Sequence, residues 1–248
     1  MRGIYNRLVV FWHSMFGTFA DMDYNKRRLQ VYKGIRFNSC IKEPEVVRWI
    51  ETFKKDDVFY DIGACIGAYS LIGSLYAKDV FAFEPAFFNY NLLLKNITHN
   101  IKKGYIENNI TPVYNALSVK TGICVFNYSR LEDGSALHVL DGIIDYKGDP
   151  FEPVYSQDML SLSLDDFISI YKCPIPNHIK IDVDGNEYEI LQGMPVTLSK
   201  PSLRSIMVEM HPSDAEIEML LVGYGFALYE KTIRSEHVSN CHFRRDPA

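Results

Sequence analysis

The residues best suited to chemistry fall into two groups. The first is the turn Asp61-Ile62-Gly63-Ala64-Cys65-Ile66-Gly67, with Glu84 closing the next apolar run. Glycine tolerates positive φ and leaves no Cβ between the backbone and a ligand, and a helix starting after Gly67 would offer unpaired N–H donors. A carboxylate at Glu84, on a neighbouring strand tip, could accept from both hydroxyls of a ribose. The spacing is G-x-x-x-G with Cys65 at its centre, rather than the G-x-G-x-x-G of a dinucleotide turn. Together these features ask for an adenosyl ligand without a pyrophosphate, and Asp61 and Glu84 favour a cationic one. S-adenosylmethionine has that character: a ribose diol, a sulfonium and an ammonium.

The second group follows two later apolar runs: Asp182, Asp184 and Glu187 after one, His211 after the other. Methyl transfer from a sulfonium is an in-line displacement, so the protein must align the acceptor and exclude water, with a base when the acceptor is an alcohol. Asp182 and His211 are the candidate catalytic residues, His211 because imidazole titrates near about pH 6.5. Asp182, Asp184 and Glu187 could instead hold a divalent cation through oxygen ligands. The alternative is a capped strand-to-helix turn in which Asp184 and Asn186 satisfy backbone donors, and no metal is expected.

Such groups need a frame that brings strand ends together. Residues 58–61, 80–83 and 203–210 read as apolar strands, 80–83 as the short continuous run of a buried parallel strand, and 110–115 and 178–183 as further strands. Helical patterns separate or precede them at 43–54, 67–76, 87–100, 163–171, 187–193 and 215–222, with Pro44 in one first turn and Ser163 as a cap. The alternation predicts a doubly wound parallel sheet with right-handed crossovers. Residues 227–231 and then 236–244 close the chain, the latter as a final edge strand. Between 120 and 155, turn signals such as Thr121-Gly122, Asp133-Gly134 and Asp141-Gly142 predict an inserted set of β-hairpins, either a substrate wall or an ornament. A short hairpin or strand is expected around Gly34, within 30–37.

The 248 residues suffice for a domain over 43–248 plus an N-terminal extension, 1–42, packed on the core. A net charge of −5 disfavours nucleic acid as a partner. Five scattered cysteines with no C-x-x-C pair point to a reducing compartment, the cytoplasm. The apolar stretch 8–20 is broken by His13, Ser14 and Gly17 and falls short of the about 20 residues a transmembrane helix needs. It reads as a helix against the domain or a second subunit, which would allow a homo-oligomer.

Six motifs in order carry a family resemblance: Asp61-Ile62-Gly63-Ala64-Cys65-Ile66-Gly67; Phe83-Glu84-Pro85; Asn115-Ala116-Leu117-Ser118; Ser163-Leu164-Asp165-Asp166-Phe167; Lys180-Ile181-Asp182-Val183-Asp184-Gly185-Asn186-Glu187; and Val208-Glu209-Met210-His211. Over about 43–229 the chain resembles the FkbM family of S-adenosylmethionine-dependent methyltransferases. Cys65 stands where that family usually has Asn, and Asp184 where it usually has Glu. The resemblance implies an α/β, Rossmann-like class I methyltransferase: a mostly parallel seven-stranded sheet with helices on both faces and an antiparallel strand near the C-terminal edge. It implies cofactor binding by Asp61, Gly63, Ala64 and Gly67 with Asp182 at the methionine end, Glu84 at the ribose, and Asn115 beside the adenine amino edge. The expected activity is O-methylation of a hydroxyl on a saccharide, glycolipid or secondary metabolite, a small-molecule or glycan acceptor. The competing readings are a nicotinamide-dependent oxidoreductase, disfavoured by Cys65, and a catalytically silent binding protein.

Overall fold

The computed structural model describes residues 19–24, 27–32, 39–142, 150 and 152–245. A hairpin of β1 (Phe19–Tyr24) and β2 (Arg27–Tyr32) leads to helices α1 (Ser39–Lys42) and α2 (Pro44–Ile50). Then β3 (Val58–Ile62), α3 (Ala68–Gly73), β4 (Asp79–Phe83), α4 (Phe87–Lys102) and β5 (Ile110–Val113) alternate. Four strands follow: β6 (Ala116–Leu117), β7 (Gly122–Tyr128), β8 (Val139–Leu140) and β9 (Tyr155–Leu162). Alternation resumes with α5 (Leu164–Tyr171), β10 (His178–Ile181), α6 (Glu187–Gln192), α7 (Pro195–Leu198), β11 (Ser205–Met210), α8 (Ala215–Gly223), β12 (Ala227–Ile233) and β13 (Ser239–Arg244).

The main sheet has seven strands in the order β12-β13-β11-β10-β3-β4-β5. Its strands run parallel from β11 to β5, while β13 is antiparallel to both neighbours. Side chains alternate across it as a two-residue period requires. Phe59, Val80 and Ala82 join a core with α2, α3 and α4. Tyr60, Ile62, Phe81 and Phe83 join the other core with Phe167, Ile190, Leu198 and Leu221 from α5 to α8. Each fully buried apolar side chain contributes about 1.5–3 kcal/mol to holding these layers. Both faces of the sheet are thereby covered, and the strand ends between the layers remain for a site.

Two expectations are corrected. Residues 239–244 form an interior strand, not an edge: β13 inserts between β11 and β12, and β12 takes the exposed edge. Burial explains the swap, because β13 is almost wholly buried whereas β12 is mostly exposed. Of the hairpin or strand expected within 30–37, residues 30–32 lie in β2, and the rest, with Gly34, lies outside the described residues. The inserted sheet, in the order β6-β9-β7-β8, extends past residue 155, because β9 pairs with the whole of β7.

The hairpin is tied to α4 by two wholly buried asparagines. Asn100 accepts from the Gln30 N–H and donates to the Gln30 carbonyl at 2.9 and 2.6 Å, and Asn96 accepts from the Tyr32 N–H at 2.7 Å. These amides satisfy an edge strand that would otherwise leave polar backbone groups unpaired. Among the described residues no helix is long and apolar enough to cross a membrane. The helix expected within 8–20 lies outside the described residues, apart from the last two positions, which open β1.

Candidate functional site

The loop after β3 closes on itself. The N–H groups of Gly63 and Ala64 both donate to the Phe83 carbonyl, at 3.1 and 2.9 Å, and Gly67 N–H donates to the Ala64 carbonyl at 2.7 Å. Glu84 completes the turn, its carboxylate accepting from Cys65 N–H and Ala86 N–H, each at 2.8 Å. Gly63 sits at φ +79°, and a Cβ there would lie 1.8 Å from the Asp182 carbonyl oxygen. Only glycine allows that approach of β3 to β10. Gly67, at φ +83°, packs its bare Cα against Leu93.

Beside the turn lies an ion network that the sequence analysis did not single out. Lys180, 3% exposed, donates to Asp182 Oδ2 at 2.8 Å, lies 3.9 Å from Asp61 Oδ1, and sits 5.0 Å from the centre of the Tyr69 ring. Asp61 is wholly buried and accepts from Ser70 Oγ at 2.5 Å. Tyr69 in turn donates to Glu43 at 2.8 Å. Burial disfavours the ammonium of Lys180, yet Asp182 and Asp61 outweigh it and raise its pKa. Burial likewise raises the Asp61 pKa, against the pull of Lys180 and Ser70. The signal available in the sequence was the alternation of Lys180 and Asp182, which puts both on one face of β10.

The three acids considered for a cation do not share a focus. Asp182 is paired with Lys180, and Asp184 accepts from Leu137 N–H at 2.8 Å. Glu187 caps its own turn, accepting from Val183 N–H at 3.0 Å and Gly185 N–H at 3.1 Å, and burial pushes it up to about 7. Among the described residues no cluster of acids, histidines and cysteines is arranged for a metal ion. Asp184, at φ +63°, also ties the inserted sheet to the end of β10.

Two adjoining cavities open at these strand ends. The smaller, about 90 Å³, holds the turn, Glu84, Lys180 and Asp182. The larger, about 410 Å³, is of the size that takes a ligand and is lined by Asn115, Glu187 and His211. Gly63, Pro85, Val183 and Asp184 border both, as do Phe126 and His138 of the inserted segment, which is therefore a wall of the site. Asp61 and Gly67 line neither cavity. Asp182 and His211 fall in different cavities, so the two catalytic candidates are not brought side by side.

Asn115 donates to the Leu160 carbonyl at 2.9 Å, while its Oδ1 is buried with no partner among the described residues. His211 Nδ1 lies 2.6 Å from the His237 carbonyl, so Nδ1 carries the proton and the lone pair of the neutral ring is on Nε2. Its own N–H is held by Asp214 at 2.7 Å. A further acid, the half-buried Glu209, was passed over in the sequence. Burial raises its pKa, and Asp182, Asp184 and Glu187 add to that.

A family model described as the methyltransferase FkbM domain matches residues 61–228. The chain belongs to this family. Hexuronic acid methyltransferase AglP of Haloferax volcanii is 29% identical over 171 residues, which are 68% of this chain and 62% of that protein. The FkbM chain described here thus matches less than two thirds of that relative's length. Methyltransferase FkbM from Methylobacillus flagellatus KT shares the fold with a TM-score of 0.52 at 16% identity, over 77% of this chain and 44% of its own. Precorrin-6y C5,15-methyltransferase from Geobacter metallireducens GS-15 does so at 0.51 and 14%, over 88% and 94%. At these identities the likeness is one of fold: a Rossmann-like methyltransferase sheet.

Proposed function

We propose that the chain is an S-adenosylmethionine-dependent O-methyltransferase acting on a hydroxyl of a saccharide. The observation that carries the cofactor is how the turn spends its donors. The N–H groups of Gly63, Ala64, Cys65 and Gly67 all bond within the protein, so they form no cradle for a pyrophosphate. That disfavours a nicotinamide dinucleotide and suits an adenosyl compound. The buried acceptor of Asn115 supports the fit, since an adenine amino group is a donor. Glu84, fixed by two N–H groups, is placed to accept from a ribose diol. The sugar class is supported by the name of the Haloferax relative, a hexuronic acid methyltransferase.

When bound, the cofactor supplies an electrophilic methyl group on sulfur. The chain's work is then positional. Glu84 and Asn115 hold the adenosine, and the bare Gly63 lets the end of β3 close against β10. Phe126 and His138 cover the site and exclude water. The acceptor hydroxyl must lose a proton, and His211 Nε2 takes it while the His237 carbonyl fixes the tautomer. Asp182, hydrogen-bonded to Lys180, lies in the smaller cavity beside the turn, on the cofactor's side of the site.

The test is incubation with S-adenosylmethionine and a panel of saccharides with and without uronic acid units, read by mass spectrometry. Formation of S-adenosylhomocysteine with an equimolar sugar methyl ether is expected. Binding of NAD in place of S-adenosylmethionine would overturn the reading, as would cofactor binding with no transfer to any saccharide. His211→Ala should lower turnover by about 10²-fold or more. Unchanged turnover would remove His211 as the base.

A further inference from the structure

Among the described residues lining the two cavities, Lys180 is the only lysine or arginine. An α-amino acid group on a ligand brings a carboxylate that must find donors. In the nearby turn the N–H groups of Gly63, Ala64, Cys65 and Gly67 are already bonded within the protein. Lys180 brings a full charge: an ammonium has three protons, and among the described residues its hydrogen bond goes to Asp182. Asp61 lies 3.9 Å away, is wholly buried and lines neither cavity. It therefore offsets the burial of the lysine charge rather than meeting a ligand.

We propose that Lys180 binds the carboxylate of the cofactor's methionine end, with Asp182 taking the adjacent ammonium. The proposal rests on the reading that the cofactor is S-adenosylmethionine. The complementarity is one of charge order. The Lys180–Asp182 pair, 2.8 Å apart, sets a positive and a negative group side by side, and an amino acid presents the reverse pair. Asp61, the first residue of the glycine motif, then acts as a positioning residue that works through Lys180.

The experiment is calorimetric titration of the full chain with S-adenosylhomocysteine and with 5′-methylthioadenosine, which keeps the adenosine and sulfur but lacks the amino-acid group. Lys180→Met should weaken S-adenosylhomocysteine by about tenfold to hundredfold and leave methylthioadenosine unchanged. Lys180→Arg should recover part of the loss. Equal weakening of both ligands, or of neither, overturns the assignment. Should Lys180→Met fail to fold, the double variant Asp61→Asn with Lys180→Met removes the unpaired buried carboxylate and is read in the same way. The unmutated protein gives an independent check. A decarboxylated analogue that keeps the ammonium should bind about tenfold more weakly than S-adenosylhomocysteine, and equal binding overturns the proposal. If the unmutated protein binds neither nucleoside, the cofactor reading fails instead.

Discussion

Strands β3 and β10 carry a buried ion network at each end, and the two cavities described above adjoin only one of them. At the carboxyl ends, Asp61, Lys180 and Asp182 adjoin the glycine turn. At the amino ends, Asp57 accepts from His178 Nε2 at 3.0 Å and pairs with Arg204. Ser205 there lies 2.7 Å from His178 Nδ1 and accepts from Trp49 at 2.8 Å. The residue types at the amino end, Asp, His and Ser in a chain of hydrogen bonds, look like a hydrolytic triad. They are 3%, 6% and 5% exposed, line neither cavity, and Phe53 stacks on the imidazole at 3.9 Å. The network with the more familiar catalytic letters is thus a structural clasp. The lesson is that access at a strand end, rather than residue type, separates a site from a clasp.

The contrast can be broken by substitution. Gly63→Ala should have the largest effect, abolishing S-adenosylhomocysteine binding and costing about 3 kcal/mol or more of stability, because the new Cβ meets the Asp182 carbonyl at 1.8 Å. Normal binding by that variant would show that β3 and β10 can part. Asp57→Ala should cost about 2–4 kcal/mol in denaturant unfolding, since it strips a buried His178 and Arg204 of their partner. Cofactor affinity of the folded protein should stay unchanged. Asp182→Asn should do the reverse, lowering turnover by about 10²-fold while the melting temperature moves by only about 2–4 °C.

Acidity separates the two ends more gently. Burial lowers the His178 pKa against the pull of Asp57, so the folded state resists protonation and stability is lost as pH falls below about 6.5. Asp57 adds to this at lower pH. Burial would raise its pKa, but His178, the Lys54 N–H and Arg204 win and hold it below the carboxylate range, so its stabilisation disappears only in strong acid. Glu187 has the opposite sign. With its carboxyl pushed up to about 7, it costs stability as pH rises from the ordinary carboxylate range through 7. His178→Gln should therefore shift the pH of maximum melting temperature downward, and an unshifted maximum would remove His178 from the balance. The smallest effect expected is about 1 kcal/mol for Ser163→Ala, away from both ends, where the hydroxyl caps α5 at Asp166 N–H.

Where one physical signal dominated, the sequence was legible. The runs at 58–61 and 80–83 match β3 and β4 because buried parallel strands favour apolar stretches, and 178–183 matches β10, where His178 and Lys180 alternate with isoleucines. Ser163 marked the start of α5 because a cap is a local hydrogen bond. The strand β9 was missed because Tyr155-Ser156-Gln157-Asp158 is polar and pairs with β7 across a long loop. The interior position of β13 depended on which of two C-terminal strands found more burial.

In the site, the sequence by itself determined the turn, since Gly63 and Gly67 carry the positive φ that the path of the chain requires, and it determined the acids at 84 and 182. Tertiary structure decided what the acids at 61 and 184 face. Asp61 lies 3.9 Å from Lys180 and lines neither cavity, and Asp184 holds the inserted wall. Glu187 instead caps its own turn. Local conformation is set by neighbours a few residues away, whereas the partners of Asp61 and Asp184 are brought to them by strands and loops distant in the sequence.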